Sequence, residues 1–310
     1  MPFFSIIIPT FNRAALLQQA LESIAQQTFR DFETLVVDDG STDATPQVAA
    51  SFGARLLRQE NRGPGAARNL GIQQASGRYI AFLDSDDQWL PWTLDTYYRI
   101  IAEKHGPAFL SGISVPLDET VSLGSIQFRD LKIEFHTNLL AACNDRVPPV
   151  GGTPSICLRR ENLLRTGGFT TQRINGEDTD LWLRLGDAPG FVRILNPPVF
   201  RQRHHAGNIS HQTPPALAGA WYLMQQERNG AYPGGPRHHR RRLRIICGTV
   251  RSVSLECLAH GRADAALQLY RASFGWNFAL GNFKYLLAFP LLAWRGKPFQ
   301  RKESPCASTA

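Results

Sequence analysis

Arg78-Tyr79-Ile80-Ala81-Phe82-Leu83-Asp84-Ser85-Asp86-Asp87 decides how this chain is read. Tyr79 to Leu83 is a run of aromatic and aliphatic residues, too short for a helix of its own, and it reads as a buried strand. It stops abruptly at a cluster of carboxylates. In an open α/β sheet, ligands bind just beyond the carboxyl ends of the strands. Asp84 and Asp86 stand two apart, so an extended chain turns both to one side. Two such carboxylates form a poor pair unless a positive group lies between them. A hard divalent cation suits these oxygen donors and commonly holds substrate phosphates as well. Asp and Ser also favour turns, so the decamer alone is equally compatible with a solvated turn after a strand.

Upstream, Phe4 to Ile8 reads as a fully buried first strand, broken by Pro9-Thr10-Phe11-Asn12. Asn12 is expected as the N-cap of a helix from Arg13 to about Gln27, with Leu16, Leu17, Ala20, Leu21, Ile24 and Ala25 on its apolar face. A second strand, Phe32 to Val37, ends in Asp38-Asp39-Gly40-Ser41. A helix over Thr42 to Ser51, a strand over Ala54 to Leu57, a turn at Asn61 to Gly65 and a helix over Ala66 to Ala75 lead back to the decamer. Strand and helix alternating in this order predict an α/β fold, a mostly parallel, Rossmann-like sheet flanked by helices. Parallel strands end at one edge, so Asp38, Asp39, Asp84 and Asp86 are expected to converge on one crevice. Gly63 to Arg68 offers backbone N–H groups at a helix start as a phosphate contact, although a plain turn explains its glycines as well.

Downstream, Trp89 to Lys104 reads as helix and Phe109 to Val115 as strand, while Asp118 to Asp145 has no clear assignment. Thr153 to Arg160 suggests a strand, Glu161 to Thr166 a short helix, and Gly167-Gly168-Phe169 a turn. Gly176-Glu177-Asp178-Thr179-Asp180-Leu181-Trp182 opens another helix whose acidic first turn suits the helix dipole. Helix capping alone would account for Glu177 and Asp178. Val199 to Ser210 marks a last strand and a polar loop carrying His204 and His205.

The composition sets bounds. With 310 residues and 43% hydrophobic content, the chain can bury a sizeable core in one or two domains and is not a disordered sequence. Its net charge of +8 is uneven: residues 1–235 hold 21 Lys and Arg against 23 Asp and Glu, and residues 236–310 hold 13 against 3. The basic character belongs to the tail and points to an anionic surface. Five cysteines without a CxxC pair indicate neither a disulfide framework nor a zinc site, and fit a reducing compartment. The first residues lack the pattern of a signal peptide, and no stretch is long and apolar enough for a membrane span.

Seven blocks in order then carry a resemblance: SIIIPTFNR (Ser5 to Arg13), VVDDGSTD (Val36 to Asp43), NRGPGAARNLGI (Asn61 to Ile72), GRYIAFLDSDD (Gly77 to Asp87), GGF (Gly167 to Phe169), GEDTDLWLRL (Gly176 to Leu185) and RHHAGNIS (Arg203 to Ser210). Over roughly residues 3–211 the chain resembles the family 2 glycosyltransferases, inverting transferases of GT-A fold. The resemblance implies a catalytic domain over 1–211, which leaves residues 212–310 as a helical, basic and apolar extension. It implies a nucleotide pocket built by Pro9, Asp39 and the turn that carries them, with Thr10, Asn12, Arg13, Asp38, Arg68 and Ser85 in the donor-binding set. It assigns Mg²⁺ or Mn²⁺ and the donor diphosphate to Asp84 and Asp86, with His205 near the metal. Asp178 takes the place of the carboxylate that deprotonates the acceptor hydroxyl, and Glu177 and Trp182 flank the acceptor. The implied partners are a nucleotide-sugar donor, UDP-linked, and a glycan or lipid-linked acceptor, with assembly on the cytoplasmic side of a bacterial envelope.

The tail lies outside that resemblance. Gln212 to Gly219 is expected as a connection, and helices are expected at Trp221 to Arg228, Leu243 to His260 and Arg262 to Phe274 with Gly261 as a stop. Trp276 to Trp294, rich in Trp, Phe and Leu and bracketed by basic residues, suits a helix lying in a membrane interface better than a span. Packing on the catalytic part is its competitor. Two other functions fit parts of the sequence. A nucleotidyltransferase would share the fold and an acidic metal site. A nucleic-acid binder would use the arginine run 237–244, but that run lacks the interleaved aromatic residues that stack on bases, and no nucleic acid is expected.

Overall fold

The computed structural model describes residues 1–117, 126, 128, 130–143, 150–203 and 213–295. His205, the junction expected at 211 and 212 and the last residues, 296–310, lie outside these.

The sheet is built from β1 (Phe4–Thr10), β2 (Phe32–Asp38), β3 (Arg55–Arg58), β4 (Tyr79–Phe82), β6 (Phe109–Ser111), β8 (Lys132–His136), β9 (Ile156–Arg159) and β10 (Phe191–Asn196). Its order is β3-β2-β1-β4-β9-β6-β10-β8. The first four strands are parallel, as the alternation predicts. β9 then inserts antiparallel between β4 and β6, and β8 closes the far edge antiparallel to β10. A second, small sheet joins β5 (Gln88–Trp89), β11 (Phe200–Gln202) and β7 (Ser114–Pro116).

Why β1 and β4 read as continuous apolar runs follows from what covers them. Successive side chains on a strand point to opposite faces. Ile6 and Ile8 fall in one buried cluster with Tyr79, Ala81 and Leu83, under Leu17 and Leu21 of α1 (Ala14–Ala25). Ile7 falls in another with Ile80 and Phe82, under Ala67 and Ile72 of α3 (Pro64–Gln74). Both faces are dry, so no alternation survives in the sequence. Each such fully buried aliphatic side chain contributes about 1.5–3 kcal/mol.

Between these lie α2 (Thr45–Ser51), α4 (Thr93–Glu103), α5 (Leu139–Ala142), α6 (Arg160–Thr166) and α7 (Glu177–Arg184). Four C-terminal helices follow: α8 (Thr213–Arg228), α9 (Gly235–Ala259), α10 (Ala263–Ala279) and α11 (Phe283–Arg295). They share a cluster of Leu223, Met224, Ile246, Val250, Leu269 and Phe289, into which Leu183 of α7 also packs. Tyr232 donates to Asp180 Oδ1 at 3.0 Å and so ties α7 to these helices a second time.

Several expectations need correction. Asn12 does not cap α1: it has φ +51, and its Oδ1 accepts from the Thr42 N–H, so it staples the 9–12 turn to the 40–42 turn. Residues from Thr213 to Gly219 are the first half of α8, because Pro214 and Pro215 sit in the opening turn, where no intrahelical N–H partner is needed. The run 109–115 divides into two strands in different sheets, and Trp89 belongs to β5 rather than to a helix. The arginine run is part of α9, and its Arg242 is buried, forked onto the Glu227 carboxylate at 2.8 and 2.9 Å. That side chain is structural, not part of a basic surface.

Candidate functional site

The carboxyl ends of β1, β2 and β4 open into a cavity of about 610 Å³. Pro9 and Thr10 line it from the end of β1, Asp39 from beyond β2, and Asp84 to Asp87 from beyond β4. α3 contributes Arg68, α7 contributes Glu177 and Asp178, and α8 contributes Pro215. The strand-end rule that singled out the decamer therefore holds in three dimensions.

Arg68 organises the charges. Its side chain is 6% exposed; it donates to Asp84 Oδ1 at 2.8 Å and to Glu177 Oε1 at 3.0 Å, with its guanidinium over the Phe169 ring. Burial works against its charge, but Asp84 and Glu177 more than offset that and raise its pKa. Burial, then the charge on Asp178, pushes the Glu177 carboxyl up, and Arg68 draws it back. Arg13 donates to Asp86 Oδ2 at 2.6 Å. Asp87 is buried, accepts from the Arg203 N–H at 2.9 Å, and is pushed up to about 8 by burial and by the charge on Asp84. Among the described residues, six carboxyl groups line the cavity against four arginines.

Asp178 stands in the first turn of α7 after Gly176, whose φ of +109 turns the chain into the helix. Its Oδ1 accepts from the N–H of Thr179. The segment before α7 is held by α8: Asn175 donates to Pro215 O, and Gly219 lies so close that a Cβ there would meet Asn175 O at 1.8 Å. Asp39 accepts from Gln59 Nε2 and from the N–H groups of Arg62 and Gly63, which fastens the 59–63 turn against the end of β2.

Among the residues singled out from sequence, Pro9, Thr10, Arg13, Asp39, Arg68, Asp84, Ser85, Asp86, Glu177 and Asp178 line the cavity. Asn12, Asp38 and Trp182 do not. Asp38 is fully buried below the floor, accepting from the Ser41 N–H and facing Arg58. Trp182 is a core side chain, packed against Phe109 and Phe169 in a tilted and an edge-on contact. Gly63 spends its N–H on Asp39.

Residues 5–144 match the family model described as Glycosyl transferase family 2. Over that stretch the chain is similar to the family 2 glycosyltransferases. An uncharacterized glycosyltransferase of Rickettsia felis is 32% identical over 185 residues, 58% of this chain and 30% of that protein. The chain thus spans about a third of the length of that relative. The GalNAc(5)-diNAcBac-PP-undecaprenol beta-1,3-glucosyltransferase of Campylobacter jejuni is 38% identical over 116 residues, 35% of this chain and 38% of that one. A structure of S. aureus TarS in complex with UDP-GlcNAc matches with TM-score 0.58 at 18% identity, covering 90% of this chain and 92% of that one. The fold is GT-A, with the helices of 213–295 added at the C-terminal end.

The cavity also takes in residues that sequence reasoning passed over. Arg173 reaches across to Asn61, donating to its O at 2.7 Å and its Oδ1 at 2.8 Å. Arg203 donates to the Asp86 carbonyl and to Gln19. Asn175 and Pro215 come from segments that carry no motif. Arg203 alone had a signal, standing at the head of the RHHAGNIS block.

Proposed function

We propose that the chain transfers a glycosyl group, with inversion, from a UDP-linked sugar to a hydroxyl of a glycan or lipid-linked acceptor. The observation that carries this reading is the convergence of Asp84 and Asp86 from β4 with Asp178 from α7 on one cavity. A donor diphosphate accounts for the polar groups around it. Thr10 Oγ1 and Arg68 Nε, both buried at this cavity, have no hydrogen-bond partner among the described residues, and such orphans are satisfied by polar ligands. The Campylobacter jejuni relative, named for an undecaprenol-linked glycan, supports the lipid-linked acceptor.

The residues fit a divalent cation. Asp84 and Asp86 are hard oxygen donors at a cavity whose described residues include more carboxyl groups than arginines. Among the described residues no group of three or more His, Cys, Asp or Glu side chains is arranged to hold a metal, so an ion here would rest on one or two carboxylates and the substrate phosphates. Asp84 and Asp86 would hold Mg²⁺ or Mn²⁺, which when bound offsets the charge gathering on the departing diphosphate. Arg13 and Arg68 orient these carboxylates. Asp178 accepts the proton of the acceptor hydroxyl as its oxygen attacks the anomeric carbon from the face opposite the diphosphate. A single displacement inverts the anomeric centre, and no protein nucleophile is used.

Turnover of a panel of UDP-sugars on lipid-linked acceptors tests the assignment. Asp178→Asn is expected to lower kcat by about 10²–10⁴-fold, the usual worth of a general base, with UDP binding retained. A variant as active as the parent would remove Asp178 from the role. Retention of the donor's anomeric configuration in the product, read by NMR, would remove the single displacement.

A further inference from the structure

The last two helices leave an apolar edge uncovered. α11 is apolar on almost every side, a pattern expected of a buried helix, yet among its described side chains only Leu286 and Phe289 are buried. Phe283, Leu287, Leu291 and Trp294 line its outer side, joined by Phe274 and Phe278 from α10, and these six are 46–86% exposed. The two stripes meet at the inter-helix turn, where the Phe278 and Phe283 rings pack edge to face at 5.6 Å. Arg271 shares the α10 stripe, three and seven residues before Phe274 and Phe278, and Lys284 sits beside Phe283, both exposed. From Ala265 to Lys302 the sequence carries six cations (Arg271, Lys284, Arg295, Lys297, Arg301 and Lys302) and no carboxylate.

We infer that this edge is a docking surface for an anionic lipid bilayer, lying in the headgroup layer with its aromatic and leucine side chains inserted. The charge pattern selects the occupant. A second copy docked through the same edge would set Arg271 and Lys284 against their own images, with no carboxylate in the segment to pair them. Lipid phosphates supply the missing charge, and long cationic side chains reach them while their stems stay in apolar surroundings. Among the described residues no helix is long and apolar enough to cross a membrane, so the contact is lateral. The backbone is prepared for a low-dielectric surface. Pro290, inside α11, removes the N–H that would bond the Leu286 carbonyl, and Tyr270 donates its hydroxyl to that carbonyl at 2.8 Å instead.

Vesicle flotation of the full chain, without nucleotide, tests this independently of the glycosyl-transfer reading. The probes are vesicles of phosphatidylcholine alone and of phosphatidylcholine with about a third phosphatidylglycerol. The parent is expected to float with the anionic vesicles and to bind neutral ones about tenfold more weakly. The triple variant Phe278→Ser, Leu287→Ser, Trp294→Ser is expected to lose about tenfold or more in binding to the anionic vesicles, with its far-UV spectrum unchanged. Arg271→Gln with Lys284→Gln, which leaves the apolar edge intact, is expected to weaken anionic binding and reduce its salt dependence. A parent that ignores anionic vesicles, or apolar and charge variants that both bind as the parent does, would overturn the proposal. So would a dimer, seen by light scattering, that the triple substitution splits.

Discussion

Arg68 stands between two carboxylates of different standing. Asp84 ends a strand and faces the cavity, and Glu177 starts a helix and is almost out of water. A buried cation that forks between two anions fixes both, and its removal leaves charges that nothing else compensates. Arg68→Met is expected to cost about 3–5 kcal/mol near pH 7, read from urea unfolding. The sign of its pH dependence follows from Glu177. Without Arg68, burial and Asp178 hold the folded-state pKa of Glu177 above its unfolded value, so the neutral form favours the native state. That contribution is present at low pH and is lost as pH rises through the unfolded and then the folded value. The deficit of the variant relative to the parent should therefore shrink on acidification. A deficit that grows instead would show that Glu177 does not carry the effect.

At the scale of elements, α8 is a wall of the site. Gly219 has no room for a Cβ against Asn175 O, a backbone atom that cannot swing aside as a flexible side chain would. Gly219→Ala is therefore expected to displace the segment that leads into Glu177 and Asp178. Misplacing a reacting group by an ångström costs about 10²-fold, so kcat/KM should fall by that order while helix content measured by circular dichroism stays the same. Unchanged turnover would mean that α8 does not position α7. None of this was legible in the sequence. The stretch Gln212 to Gly219 reads as a Pro-bearing connection, because two prolines in a first turn look like breakers until the helix behind them is seen. The first four strands and the three helices between them were legible, since local propensity and burial agree there. Strand β10 went unassigned: Phe191 to Asn196 pairs with β6 and β8, from distant parts of the chain, and pairing of that kind leaves no local mark. The resemblance set Trp182 beside the acceptor, whereas the helix turns it into the core against Phe109.

Across the whole molecule, the cavity is assembled from segments between Pro9 and Pro215, and its acidic residues stand at the starts and ends of elements. The sheet supplies Asp84 and Asp86, α7 supplies Asp178, and the C-terminal helices brace α7 through Leu183 and the Tyr232–Asp180 bond. The basic tail divides in the same way: Arg242 is held inside, and Arg271 and Lys284 stand beside an uncovered apolar edge. On the proposed function, the end of β4 receives a nucleotide diphosphate with a divalent cation. Calorimetric titration of UDP into the purified protein, with and without Mn²⁺, for the parent and Asp86→Ala, tests it most directly. The account predicts UDP binding that weakens by about tenfold or more when Mn²⁺ is withheld or Asp86 is replaced, since hard cations bind through such carboxylates and the phosphates together. A folded parent that does not bind UDP, or an Asp86→Ala variant that binds it as tightly as the parent with Mn²⁺ present, would contradict it.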